Sequence, residues 1–77
     1  MTVKVYSTKS CPYCVMAKDF LKKNKVKFED IGLESNEEAV QEMIEKSGQT
    51  GVPVLDIDGT IIIGFDVEKI KKALKMK

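Results

Sequence analysis

The sequence predicts an α/β domain in which a four-stranded mixed sheet is covered by three helices, in the order β-α-β-α-β-β-α. Three observations carry this. The apolar run Val3-Lys4-Val5-Tyr6 gives way within a few residues to helical spacing. Two further stretches with apolar residues three and four apart follow, one after Ser35 and one after Asp66. Between them, Asp58-Gly59 joins two short β-branched runs as a two-residue hairpin turn. The 77 residues suffice for one domain, 1–77, with a single core and no separate cofactor or substrate domain.

Each element has its own signature. Val3 to Tyr6 is rich in β-branched and aromatic residues and reads as a strand. Pro12 suits a first helical position, where its missing N–H has no intrahelical partner, and a helix from Pro12 to Asn24 follows. Its apolar side is Cys14, Ala17, Phe20 and Leu21, with Lys18, Lys22 and Lys23 on the wet side. Val26 to Ile31 alternates apolar and charged residues and is expected as an edge strand. Ser35-Asn36-Glu37-Glu38 has the form of a capping box, opening a helix with Ala39, Val40, Met43 and Ile44 on one stripe and Gly48 at its end. Val54 to Ile57 and Thr60 to Ile63 are the hairpin strands. Asp66 caps a last helix whose inward side is Val67, Ile70, Ala73 and Leu74. A parallel pair joined by a right-handed crossover, extended by an antiparallel hairpin, is the minimal thioredoxin-like arrangement.

The net charge of +1 hides a division. Met1 to Phe28 carries seven lysines against Asp19 alone, and Glu29 to Glu45 carries seven acids and no lysine. With the first and third helices on one face of the sheet and the second on the other, a lysine-rich face opposes an acidic one, a dipole able to steer a charged partner. All thirteen cations are lysine, so no arginine fork is available, and no aromatic platform accompanies the basic face; nucleic-acid binding is not expected. Nothing approaches the roughly 18 apolar residues of a membrane helix, and the start Met1-Thr2-Val3-Lys4 does not read as a signal peptide. A cytoplasmic, monomeric protein without membrane contact is expected.

The chemistry concentrates at Cys11-Pro12-Tyr13-Cys14, which holds both cysteines of the chain directly after a strand and at the start of a helix. In a reducing compartment such a pair is catalytic or metal-binding rather than a staple. Zinc wants about four protein ligands, and the chain has two thiols and no histidine, so no metal is expected. Thiol–disulfide exchange needs a thiolate, and a helix N-terminus stabilises one through its unpaired N–H groups and dipole. Cys11 takes that position as the attacking sulfur; Cys14, one turn inside, suits a resolving thiol. Lys9 either adds to the local field or is simply solvated. Val52-Pro53 reads as a strand start, and Gly64-Phe65-Asp66 as a turn followed by a cap.

Taken together, Cys11-Pro12-Tyr13-Cys14, Val52-Pro53 and the Gly64/Asp66 pair resemble the glutaredoxins over the whole chain. The resemblance implies a thioredoxin fold with Pro53 cis and facing Cys11, and a dithiol–disulfide oxidoreductase acting on protein disulfides or glutathione mixed disulfides. It implies a substrate and glutathione site in which Val52 offers its N–H and C=O to the substrate cysteine, Pro12 and Tyr13 flank the bound tripeptide, Asp66 holds its γ-glutamyl end, and Lys9, Gly64 and Phe65 lie alongside. No tightly bound cofactor is implied; glutathione is the co-substrate. Some members instead share an iron–sulfur cluster between subunits, and these more often have small residues where Pro12 and Tyr13 stand.

There are departures. The family usually reads T-V-P where this chain has Gly51-Val52-Pro53, losing a hydroxyl, and a lysine commonly stands where Thr8 is, with Lys9 one step later. Thr50, beside Gln49, stands where arginine or another basic or polar residue is frequent. Glycine followed by Phe65 looks more like the glutaredoxin-like redoxins that take electrons from thioredoxin reductase, some of which serve ribonucleotide reductase. The resemblance therefore leaves two electron donors open, glutathione and thioredoxin reductase.

Overall fold

The first strand, β1 (Val3–Ser7), is an interior strand of the sheet, with a neighbouring strand on each side. A computed structural model describes residues 2–34 and 36–75. After β1 come α1 (Pro12–Lys23), β2 (Glu29–Gly32), α2 (Glu37–Ser47), the hairpin strands β3 (Val54–Ile57) and β4 (Thr60–Ile63), and α3 (Val67–Ala73). The sheet order is β2-β1-β3-β4. β1 runs parallel to β2 and antiparallel to β3, and β3 runs antiparallel to β4. This is the expected thioredoxin-like fold. Asp58 and Gly59 both have positive φ, 51° and 95°, as a two-residue turn matched to strand twist requires.

Alternation along the strands sends side chains to opposite faces. Val3, Val5, Leu55, Ile57 and Ile62 meet Ala17 and Leu21 of α1 and Ile70 of α3 on one face. Tyr6 and Val54 meet Leu33, Ala39 and Met43 on the other, under α2. The single core expected from length is thus two clusters divided by the sheet. The split places the lysines of α1 and α3 on one side and the acids of α2 on the other.

Three details differ from the sequence expectation by more than a residue at an element's end. β2 begins at Glu29 rather than Val26, since Val26 helps to end α1: Lys25 turns left-handed (φ 57°), its N–H bonds to Lys22 C=O, and the Val26 N–H bonds to Leu21 C=O. This closure usually employs glycine; here a lysine adopts it, and Val26 packs against the cluster containing Leu21. Second, α2 is capped by Asn36, whose Oδ1 accepts the Ala39 N–H at 3.1 Å. Ser35, the expected cap, lies outside the described residues. Third, Lys18 is not simply on the wet side, because its Nζ reaches Asp30 Oδ2 at 3.1 Å and ties α1 to the edge strand. Among the described residues no helix is long and apolar enough to cross a membrane.

Candidate active site

Cys11 is the residue that α1 starts from. Its backbone is extended (φ −98°, ψ 108°), Pro12 occupies the first turn, and its Sγ accepts the Cys14 N–H at 3.2 Å. Sulfur here takes the place of the side-chain oxygen that caps most helices, so the N-terminal amide and the dipole are directed at the atom that would carry negative charge. The Cys11 side chain is half-buried, whereas Cys14 is fully buried. Both thiols are free.

The two sulfurs differ in burial. Burial pushes the Cys14 thiol up to about 11, helped by its hydrogen bond to Cys11 and opposed by one from the Thr8 backbone. Cys14 is therefore protonated at neutral pH. A buried thiol that keeps its proton does not compete for the first attack, which is the division of labour expected from the positions of the two residues.

The second wall comes from the start of β3. The Val52–Pro53 peptide is cis, Pro53 is buried, and the Val52 carbonyl oxygen lies 3.9 Å from Cys11 Sγ. The Gly64 N–H donates to the Pro53 carbonyl at 2.8 Å, continuing the β3–β4 ladder by one pair. Gly64 has φ 82°, and this turn delivers Asp66, whose carboxylate accepts the Lys69 N–H at 3.2 Å as the cap of α3.

The remaining expected site residues are placed as follows. Tyr13 is exposed beside the cysteines, at 61 % of its full surface. Lys9 is exposed, and its backbone N–H donates to Glu34 at 2.6 Å, holding that carboxyl below its ordinary range. Phe65 is half-buried and packs edge-to-face on Phe20 of α1, ring centroids 6.1 Å apart, so its ring contacts α1. The fold thus brings Cys11, Cys14 and Val52-Pro53 together, with Gly64 hydrogen-bonded to Pro53.

Sequence reasoning passed over Gln49. Its carboxamide bonds to both the N–H and the C=O of Gly51, immediately before Val52. The available signal was a carboxamide two residues ahead of a glycine, a spacing that lets a side chain fold back on the main chain. A surface cleft of about 760 Å³ between α1 and β2, lined by Val15, Lys18, Lys22, Phe28 and Asp30 among others, does not include Cys11. Among the described residues no three His, Cys, Asp or Glu side chains converge to hold a metal.

Comparison with known proteins agrees with this geometry. The family model described as Glutaredoxin matches residues 3–62. A glutaredoxin-like 8.6 kDa protein in the rubredoxin operon of Clostridium pasteurianum is 40% identical over 73 residues, covering 95% of this chain and 97% of that one. Glutaredoxin 3 of Escherichia coli strain K12 is 39% identical over 64 residues, covering 83% of this chain and 77% of that one. Among solved structures, the thioredoxin-like protein BC3987 superposes with a TM-score of 0.87 at 30% identity, covering 94% of this chain and 99% of that one.

Proposed function

Since the chain belongs to the glutaredoxin family and is therefore a thiol–disulfide oxidoreductase, we propose that it reduces glutathione mixed disulfides and protein disulfides through Cys11, with Cys14 as resolving thiol and glutathione as the electron donor. The observation that carries this reading is the asymmetry of the pair: Cys11 Sγ receives the helix amide at 3.2 Å, while the Cys14 thiol is buried and pushed up to about 11.

The steps follow from that asymmetry. The Cys11 thiolate attacks one sulfur of the substrate disulfide; that S–S bond breaks, and the departing sulfur leaves as a thiolate and takes a proton. The substrate cysteine is then joined to Cys11, its backbone paired with the N–H and C=O of Val52 in a short antiparallel bridge. Cys14 gives up its proton and attacks Cys11 Sγ, releasing the reduced substrate and leaving a Cys11–Cys14 disulfide. The dithiol has lost two electrons. Two glutathione thiols restore them: the first forms a mixed disulfide with Cys11, and the second removes it as glutathione disulfide. In this reading Tyr13 flanks the tripeptide and Asp66 holds its γ-glutamyl end.

A second reading, in which thioredoxin reductase supplies the electrons, is favoured by one feature. Phe65 on Phe20 lines, with Met16, Asp19 and Lys23, a shallow surface on α1 beyond the cysteines, and Met16 is exposed at 47 %. Such a surface suits a protein donor. NADPH consumption with a small mixed disulfide separates the two: turnover with glutathione and glutathione reductase supports the first, and turnover with thioredoxin reductase alone supports the second.

A further inference from the structure

Gln49 sits between the end of α2 and the cis peptide and acts on the backbone rather than on solvent. Its Oε1 accepts the Gly51 N–H at 2.6 Å, and its Nε2 donates to the Gly51 C=O at 2.9 Å. One carboxamide thereby satisfies both polar groups of the residue preceding Val52. The base of this clamp is tied to α2, because Ser47 Oγ lies within hydrogen-bond distance of the carbonyl oxygens of Met43 (2.7 Å) and Gln49 (3.0 Å).

Gly51 makes room for the clamp. A Cβ added there would lie 2.6 Å from Gln49 Oε1, while the φ of Gly51 is outside the left-handed region that favours glycine. The glycine is therefore accounted for by space and not by backbone conformation. The Gln49 amide fills the side-chain position where the family pattern has threonine.

We infer that Gln49 is a positioning residue for disulfide capture: together with Gly51 it replaces the missing threonine and holds the backbone before Val52 in the extended course that presents the Val52 N–H and C=O to the substrate cysteine. Among the described residues no hydrogen bond engages the Val52 N–H, so it is open to such a pairing. The inference rests on the role of Val52 proposed above. It concerns substrates that pair with the backbone, so a small alkylating agent that needs only the Cys11 sulfur is unaffected.

The test is steady-state kinetics with a glutathionylated peptide for wild type, Gln49→Ala, Gly51→Ala and the double variant, alongside iodoacetamide alkylation of Cys11. Gln49→Ala is expected to raise KM about tenfold with kcat within about twofold, the size of effect that losing one or two hydrogen bonds supports. The alkylation rate stays at the wild-type value. Gly51→Ala, whose Cβ displaces only the flexible end of Gln49 and supplies no hydroxyl, gives the same KM, and the double variant adds nothing further, because both changes open one clamp. If Gln49→Ala does not fold, Gly51→Ala carries the test alone. An unchanged KM, additive effects, or a KM change accompanied by slowed alkylation overturns the inference while leaving the proposed function standing. Absence of wild-type turnover overturns the proposed function, and this inference with it.

Discussion

Gly64 donates its N–H to the Pro53 carbonyl oxygen at 2.8 Å, so the turn that opens α3 is joined to the residue directly after the Val52 carbonyl that faces Cys11. Gly64 does this with φ 82°, and a Cβ there would meet nothing within 4 Å. The cost of a side chain at this position is therefore conformational only. Gly64→Ala should destabilise the domain by about 1–2 kcal/mol. Urea unfolding should show a lower midpoint with an unchanged slope, and a midpoint equal to wild type would contradict the account.

How much of this was legible in the sequence depends on whether the signal was local. The hairpin at Asp58-Gly59, the cap at Asp66, the stop at Gly48 and the dithiol at the helix start are set by residues within a turn of one another, and all appear as expected. The start of β2 was misplaced because Lys25 adopts a left-handed conformation that its residue type does not advertise, which recruits Val26 to the end of α1. The Gln49 clamp is easily passed over because glycine at 51 reads as a lost hydroxyl until the neighbouring carboxamide is seen to fill the gap.

The Cys14 thiol makes stability depend on pH at the alkaline end. Its folded value, about 11, lies above the ordinary 9.0, so its contribution is complete below pH 9.0 and is lost as pH rises through 11. Tyr6, raised by burial and by its hydrogen bond to Glu42, adds to the same limb from pH 10.0 upward. Reduced wild type should therefore lose stability between pH 9.0 and 11 more steeply than Cys14→Ala, which keeps Tyr6. Parallel urea midpoints for the two proteins would refute this.

On the acid side the controlling group is Glu42. The Tyr6 hydroxyl and then Lys46 Nζ, 3.0 Å away, hold its carboxyl at about 2, against an ordinary 4.5. Its folded value is depressed, so the stabilisation is present above pH 4.5 and fades as pH falls toward 2. Glu42→Gln should flatten the melting temperature across that interval. The carboxylate is partly exposed and Lys46 also bonds to Asp56, so added salt should weaken the dependence without abolishing it. A Glu42→Gln protein with the wild-type acid limb would rule out this assignment.

Ile70 tests the packing of α3. It is fully buried in the cluster shared with α1 and the sheet. Ile70→Ala should cost about 2–5 kcal/mol, a large share of the 5–15 kcal/mol that holds such a domain together. The folded fraction should keep the wild-type rate of Cys11 alkylation, since Ile70 contributes to the core and not to the dithiol. Calorimetry with an alkylation assay on the same sample reads both quantities, and a stable variant with impaired alkylation would contradict the separation.

The central claim is that Cys11 attacks and Cys14 resolves, and trapping the intermediate tests it most directly. Cys14→Ser, incubated with a disulfide-bearing protein and analysed by intact mass and peptide mapping, should accumulate a mixed disulfide located on Cys11; Cys11→Ser should accumulate none, its remaining thiol being buried and protonated. A mixed disulfide forming on Cys14 in Cys11→Ser as fast as on Cys11 in Cys14→Ser would show that the two sulfurs are interchangeable, and the account would fail.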